Sequence, residues 1–417
     1  MAGMLMDGTK TTEREEAQGR DPDLRCRDQG PRDQGPWFIG SEIYRDSSYG
    51  RGHPLAIPRV SVTIDMARAM GWLDEAHYID SPRATPEDLA RFHEPAYIDA
   101  LMRAEFAQAV SAADAKAFNI GTNGNPVYGE MFQRPATAAG AARLSGQLLA
   151  DGGVVFSPAG GTHHGRKGGA SGFCYFNDPV LAILSLQDQG VKRIFYLDLD
   201  AHWGDGVQLA FAESPEVFTL SVHENARWPM ARDPKAGIHG SLDDLGPGHL
   251  NLPVPRGFTD VDLGFLMDAL ILPLIEDFAP EALVLQLGCD GLADDPQSKL
   301  CLSNRGLWRA LEACRPMSPR LLVLGGGGYN PYAVGRCWAG YWGVLTGQDL
   351  EVPLTPEAKE VLRALTWDHR KGRQPLAHWF THLADPVSFG GENVSEDVRA
   401  LSARASVSLR HSPLARG

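Results

Sequence analysis

The chain has 417 residues, 43% of them hydrophobic, and a formal net charge of −13. That is apolar material for one large α/β domain or two smaller ones, while the negative balance argues against a nucleic-acid groove and is compatible with cationic partners such as lysine-rich tails or polyamines. Six cysteines without a CxxC pair predict a reduced, cytoplasmic protein with buried thiols, and neither a membrane-length apolar stretch nor a signal-peptide core is present.

Residues 1–36 are polar and charge-rich and repeat RDQGP at Arg27–Pro31 and Arg32–Pro36. So few residues there can be buried that a disordered N-terminal extension is expected. The folded part begins at Trp37, with a first strand from Phe38 to Ile43. Apolar residues at helical spacing follow from Pro58 to Leu73, and Thr85-Pro86-Glu87-Asp88 opens another helix with proline in its first turn and acids at its positive end. A helix over 136–150 leads into strand 154–156. Strand 194–198, helix 205–213, strands 217–222 and 249–254, helix 260–278, strand 282–287, helix 304–315 and strand 320–324 come next. Short apolar strands alternating with helices predict a mostly parallel sheet covered on both faces. After Thr366 no segment carries recognisable chemistry, and 386–417 reads as a polar C-terminal tail.

In such sheets ligands bind beyond the carboxyl ends of the strands, and the reactive side chains collect there. The run Ile194–Leu197 ends in Asp198, Leu199, Asp200, Ala201, His202, three ionisable groups at every second position and so on one side of an extended chain. These aspartates could simply cap the next helix. A divalent metal is the stronger reading, because Asp200 and His202 would stand about 7 Å apart and could converge on one ion. Asp290, where ALVLQLG runs out, is the natural third ligand. Two carboxylates and one imidazole leave a tetrahedral ion one open position, as in catalytic zinc sites, and Fe(II) or Mn(II) would also accept this set. Water on such an ion, with its pKa lowered to about 7, would be the nucleophile.

Activation of that water needs a base, and His163 and His164 in GGTHHGRKGG are available, with Asp198 and Asp205 as carboxylates to fix their tautomers. Tyr329, after the four glycines of LGGGGYN, could donate to an oxyanion. The glycines fit neither GxGxxG nor GxxxxGK[ST], which argues against a phosphate loop. His53, His93, His239 and His249 lack carboxylates at ligand spacing and read as structural. Trp338, Tyr341 and Trp342 recur at helical spacing and read as core.

With these motifs in hand, GGTHHGRKGGASGFCYFND, YLDLDAHWGDGVQLAF, LQLGCDGLADDP and LGGGGYN, in this order and joined by SSYGRGHPLAIPRV, the chain resembles the zinc-dependent histone deacetylase superfamily over roughly residues 38–347. It is most similar to the bacterial class I-like members and the acetoin-utilisation deacetylases. The resemblance implies the arginase-deacetylase fold: a single α/β domain, here 37–385, on a mostly parallel sheet of about eight strands with helices on both faces. It implies hydrolysis of N-acetyl amides of lysine side chains. Asp200, His202 and Asp290 would hold Zn²⁺. His163 and His164 would be the acid–base pair backed by Asp198 and Asp205, and Tyr329 the electrophile.

Phe173 would line one wall of an acyl-lysine channel, with the Gly172 carbonyl accepting the substrate amide N–H. Trp228 would stand on the opposite wall, and Gln297 where class I members carry an apolar residue. The resemblance also implies a structural K⁺ on main-chain carbonyls of Asp198, Asp200 and His202 near Ser221, and places Arg59 at an acetate-release cavity. Trp203, where many members have a second histidine, should point away from the metal. Partners are then acetylated proteins or small acetylated amines, without nucleic acid or membrane and compatible with a homo-oligomer. Gln297 and the acidic surface make acetylpolyamines the alternative substrates. An arginase-type ureohydrolase would need a second metal, and an inactive acyl-lysine-binding scaffold would show a missing ligand, histidine or tyrosine; none is missing.

Overall fold

The computed structural model describes residues 35–230, 239–244, 246, 248–386 and 393–410. Eight strands make one sheet: β1 (Trp37–Gly40), β2 (Tyr78–Asp80), β3 (Gly153–Ser157), β4 (Ile194–Asp198), β5 (Val217–Glu224), β6 (His249–Val254), β7 (Ala282–Gln286) and β8 (Arg320–Leu324), in the order β2-β1-β3-β8-β7-β4-β5-β6. Every pairing is parallel. Expected and observed agree here: apart from β5 and β6, joined without a helix among the described residues, the strands are connected through helices that cover both faces, and the central ones are short continuous apolar runs because neither face meets water.

The period of two divides each strand between two cores. Phe195 and Leu197 of β4, Leu283 and Leu285 of β7, and Leu321 and Val323 of β8 pack with the helices Val60–Ala69, Asn304–Cys314 and Pro331–Thr346. Ile194 and Tyr196, Ala282 and Val284, and Leu322 and Leu324 pack on the other face with the helices Pro95–Ala107, Gln133–Leu148 and Asp178–Asp188. Trp338, Tyr341 and Trp342 are fully buried, as their spacing predicts.

Three expectations are corrected. β1 stops at Gly40, where a Cβ would run into Tyr78 and Ile64, and Ile43 opens a short helix instead of ending the strand. The helix expected over 260–278 is interrupted by a π-turn, Met267–Ile271, just ahead of Pro273, whose missing N–H removes a helical bond. The stretch expected as a polar tail contains the helix Glu396–Arg410, and Val398, Leu401 and Ala405 are buried in the first core. The boundary at 385 therefore falls inside packed structure. Residues 1–34, with the RDQGP repeat up to Gln34 and Cys26, lie outside the described residues. The other five cysteines are free thiols, four of them buried.

Candidate metal centre

Beyond β4 the chain bends, but alternate residues still fall on opposite sides. Leu199 and Ala201 continue into the core, while Asp198, Asp200 and His202 face the loops that follow β3, β7 and β8. Asp290 arrives from the loop after β7. Asp200, His202 and Asp290 each offer a ligand atom, all within 4.8 Å of one another, and all three residues are buried. His202 Nδ1 is 3.1 Å from Asp200 Oδ1 and 2.9 Å from Asp290 Oδ2. The remaining carboxylate oxygens accept backbone N–H groups, Ala201 to Asp290 Oδ1 at 2.8 Å and Gly327 to Asp200 Oδ2 at 2.6 Å. That approach requires glycine: a Cβ at position 327 would collide with both carboxylates.

This donor set fits a divalent cation. Two buried carboxylates are costly unless a positive charge sits between them. Among the described residues no lysine or arginine pairs with Asp200 or Asp290; histidines alone reach them. Burial works against charge on His202, yet Asp290 and Asp200 lift its pKa to about 10, a measure of how strongly the pocket calls for a cation.

Two histidine–carboxylate pairs stand beside the cluster. His163 Nδ1 lies 2.7 Å from Asp198 Oδ2, and His164 Nδ1 lies 2.7 Å from Asp205 Oδ1. With Nδ1–H donated to the carboxylates, both Nε2 atoms are left for chemistry; His163 Nε2 is 3.8 Å from Asp200 Oδ1. The two rings are 4.0 Å apart at their centroids, and their environments separate them. Burial opposes charge on His163, but Asp198 and Asp200 prevail and raise its pKa to about 9. Burial and the neighbouring His163 depress His164 to about 4, against Asp205. The two environments thus push the neighbouring imidazoles in opposite directions.

Supports that sequence reasoning missed hold this arrangement. Tyr196 donates its hydroxyl to Asp198 Oδ2 at 2.8 Å. Arg166 pairs with the second oxygen of Asp205. Asp178, beside the N-cap Asn177, accepts the N–H groups of Gly161 and Thr162 at 2.8 Å each and so fixes the turn bearing both histidines. From sequence alone Asp178 looks like a helix-capping acid, with nothing to mark a partner 16 residues upstream.

Tyr329 stands at the mouth, only 8% exposed, its ring edge-on to Phe173 at 6.0 Å. Among the described residues its hydroxyl has no hydrogen-bond partner, and burial raises its pKa well above the ordinary tyrosine value, keeping it a donor. Phe173 occupies the left-handed region at φ +70°, held there by Asn125 Oδ1 accepting its N–H at 3.1 Å and Tyr49 donating to its carbonyl at 3.1 Å. His53 lies against Phe173 at 4.7 Å and Tyr49 at 4.8 Å, so it contributes to the wall as well as to its own turn. Trp228, 53% exposed, packs edge-on to His164 at 4.8 Å. A Cβ on Gly172 (φ +54°) would strike both rings, and the Gly172 carbonyl receives Cys174 Sγ at 3.3 Å. Gln297 is half-buried, its N–H on Asp295. Arg59 donates to the Gly326 carbonyl at 2.6 Å with its guanidinium 5.2 Å from the Trp338 ring.

The remaining expectations sort by neighbourhood. Of the four residues expected around K⁺, Ser221 is the register partner of Asp198. The hydroxyl of Ser221 meets His223 Nδ1 at 2.9 Å, both residues belonging to β5. Trp203 is buried away from the ligands, its indole N–H on Gln208. His93 bonds only to backbone groups, as expected of a structural histidine. His249 is corrected, since Asp244 stands 3.6 Å from its Nε2.

Comparison with known proteins gives one answer. The family model described as the histone deacetylase domain matches residues 53–345. A putative histone deacetylase 2 of Caenorhabditis elegans is 34% identical over 74% of this chain and 61% of its own length. Histone deacetylase 19 of Arabidopsis thaliana is 35% identical over 73% and 60%. The chain spans about three fifths of the length of these curated relatives. A crystal structure of an HDAC homologue from Aquifex aeolicus superimposes with a TM-score of 0.83 at 36% identity, covering 89% of this chain and 100% of that one.

Proposed function

The chain belongs to the histone deacetylase family, and from that premise we propose that it hydrolyses N-acetyl amides of lysine side chains on proteins, with Asp200, His202 and Asp290 holding a divalent ion, Zn²⁺ foremost. When bound, such an ion supplies Lewis acidity toward an amide carbonyl and toward water. The protein's own groups do the rest. Neutral His164, with Nδ1–H on Asp205, takes a proton from the attacking water through Nε2. His163, kept protonated by Asp198 and Asp200, holds positive charge where negative charge develops and supplies a proton to the departing amine. The unpartnered Tyr329 hydroxyl donates to the carbonyl oxygen as it becomes an oxyanion.

Phe173 and Trp228 flank the mouth and would fit an extended aliphatic stem, the Gly172 carbonyl would accept its amide N–H, and Gln297 is the wall residue expected to meet the acyl chain. Arg59, bonded to the Gly326 carbonyl, would receive the released acetate. The cluster Asp198, Asp200, His202 and Ser221 is offered for K⁺. Five free cysteines accord with a cytoplasmic location, and no helix among the described residues is long and apolar enough to cross a membrane.

The single observation that carries this reading is the convergence of three buried donors, two histidine–aspartate pairs and a free tyrosine hydroxyl at one edge of the sheet. The test is hydrolysis by purified protein of acetyl-lysine peptides against N-acetylputrescine, with and without a chelator. Chelator-sensitive release of acetate from the peptides is expected. Preference for the polyamine by orders of magnitude would shift the substrate class, and no hydrolysis of either would sink the activity.

A further inference from the structure

Two adjacent carboxylates follow Asp290 in the loop after β7, and they face opposite ways. Asp295 points inward, buried, and accepts the N–H of Tyr329 on Oδ2 at 2.6 Å and the N–H of Gln297 on Oδ1 at 2.8 Å. Asp294 points outward. Its Oδ2 accepts the indole N–H of Trp379 at 2.7 Å, and its carbonyl accepts Lys371 Nζ at 3.0 Å. Lys371 and Trp379 lie past residue 345, where the family match ends.

The need for such a tie follows from the glycines. Four of them precede Tyr329 and leave its approach without side chains to fix it. Other bonds hold the glycines themselves: Gly327 N–H on Asp200, Cys289 N–H on the Gly327 carbonyl at 2.8 Å, and Arg59 on the Gly326 carbonyl. Asp295 is the group that grips the backbone of Tyr329, and with its other oxygen it grips Gln297. One carboxylate therefore ties the backbone of Tyr329, after β8, to that of Gln297, after β7, beyond the point where the Cys289 N–H already joins the two loops at Gly327.

We propose that Asp295 is a positioning residue that fixes the Tyr329 hydroxyl and the Gln297 wall in one register, and that the Lys371–Trp379 segment braces it from outside through Asp294. This rests on the role given to Tyr329 above. A carboxylate suits the task because both its oxygens accept. In Asp295→Asn one of the two N–H groups would face an amide NH₂, so one bond is lost at nearly constant volume.

The experiment is a kinetic cycle of Asp295→Asn, Tyr329→Phe and the double variant, with metal content measured on each and a crystal structure of Asp295→Asn. The single variant is expected to lose on the order of 100-fold in kcat, the cost of a reacting group displaced by about 1 Å, with KM within a few-fold and metal content unchanged. Added to Tyr329→Phe it should cost no more than about twofold, because the hydroxyl it positions is already gone. Multiplying losses, or a fall in KM-linked binding alone, would overturn the proposal.

The crystal structure reads the same question without turnover. Tyr329 shifted from its place against Phe173 is expected, and an unmoved ring would overturn positioning whatever the substrate proves to be. Trp379→Phe, which keeps the packing and removes the bond to Asp294, should lower kcat in the same sense by a smaller factor. It also carries the test should Asp295→Asn not fold; an unchanged kcat there would remove the brace.

Discussion

Histidines are buried both at the rim beyond β4, β7 and β8 and in the body of the protein, and the two regions treat them in opposite ways. His93 and His223 are as inaccessible as His163, yet their partners are neutral: the Arg166 carbonyl and Asn177 N–H for His93, Ser221 and the Gly240 carbonyl for His223. Burial dominates, and both are pushed down to about 4. At the rim, His163 and His202 meet carboxylates and are pushed up to about 9 and about 10. His164 has a carboxylate too, but burial together with His163 alongside outweighs Asp205, and it returns to about 4. Burial alone therefore says little about a histidine's task. The charge of what it touches, counted to the second neighbour, says much more.

The comparison breaks hardest at the ligands. Asp290→Asn takes a formal charge from a site that no lysine or arginine balances among the described residues. Retained metal after dialysis should fall by more than the 10–100-fold typical of outer partners, with turnover lost alongside. Full occupancy by elemental analysis would mean the cluster is not the metal site. Tyr329→Phe leaves the charges alone and removes one donor, so kcat should fall by about 10²–10³ with metal content unchanged. Asp198→Asn is milder, because Tyr196 meets Oδ2 and the Asp200 N–H meets Oδ1, so an amide oxygen keeps one of these bonds while His163 loses its anion. A drop of about 10–100-fold in kcat/KM is expected in a pH series, and a profile identical to wild type would show that Asp198 does not tune His163.

How much of this could be read in the sequence depended on whether the signal was local. β3, β4, β7 and β8 carry continuous apolar runs, and their carboxyl ends can be recognised without knowing how they pair. Asp200 and His202 share a side by the strand period, and Asp290 was found because it ends another such run. β2 has three residues at the sheet edge, none buried, and leaves no pattern. The helix Glu396–Arg410 was passed over for its polar composition although Val398, Leu401 and Ala405 fall at helical spacing. Asp178, Asp295, Tyr49 and His53 act through loops that meet only in three dimensions, where neither period nor spacing points to the partner.

The smallest effect tests the other half of the comparison, the neutral histidine. His93 is 1% exposed and bonded through both nitrogens to backbone groups, so the folded protein keeps it uncharged to about pH 4 while the unfolded chain protonates it from about 6.5. Its folded pKa is the lower of the two. The unfolded state therefore binds the extra proton between these values, and stability is lost as pH falls through that window. One pH unit below 6.5, at about pH 5.5, the loss from this group is about 1 kcal/mol. Glutamine can donate to the Arg166 carbonyl and accept from Asn177 without titrating, so in His93→Gln the urea-unfolding free energy should decline less between pH 7 and 5.5 than in wild type, with kcat unchanged. Parallel declines in the two proteins would mean that His93 already carries its proton in the folded state and that neutral partners do not keep a buried imidazole uncharged here.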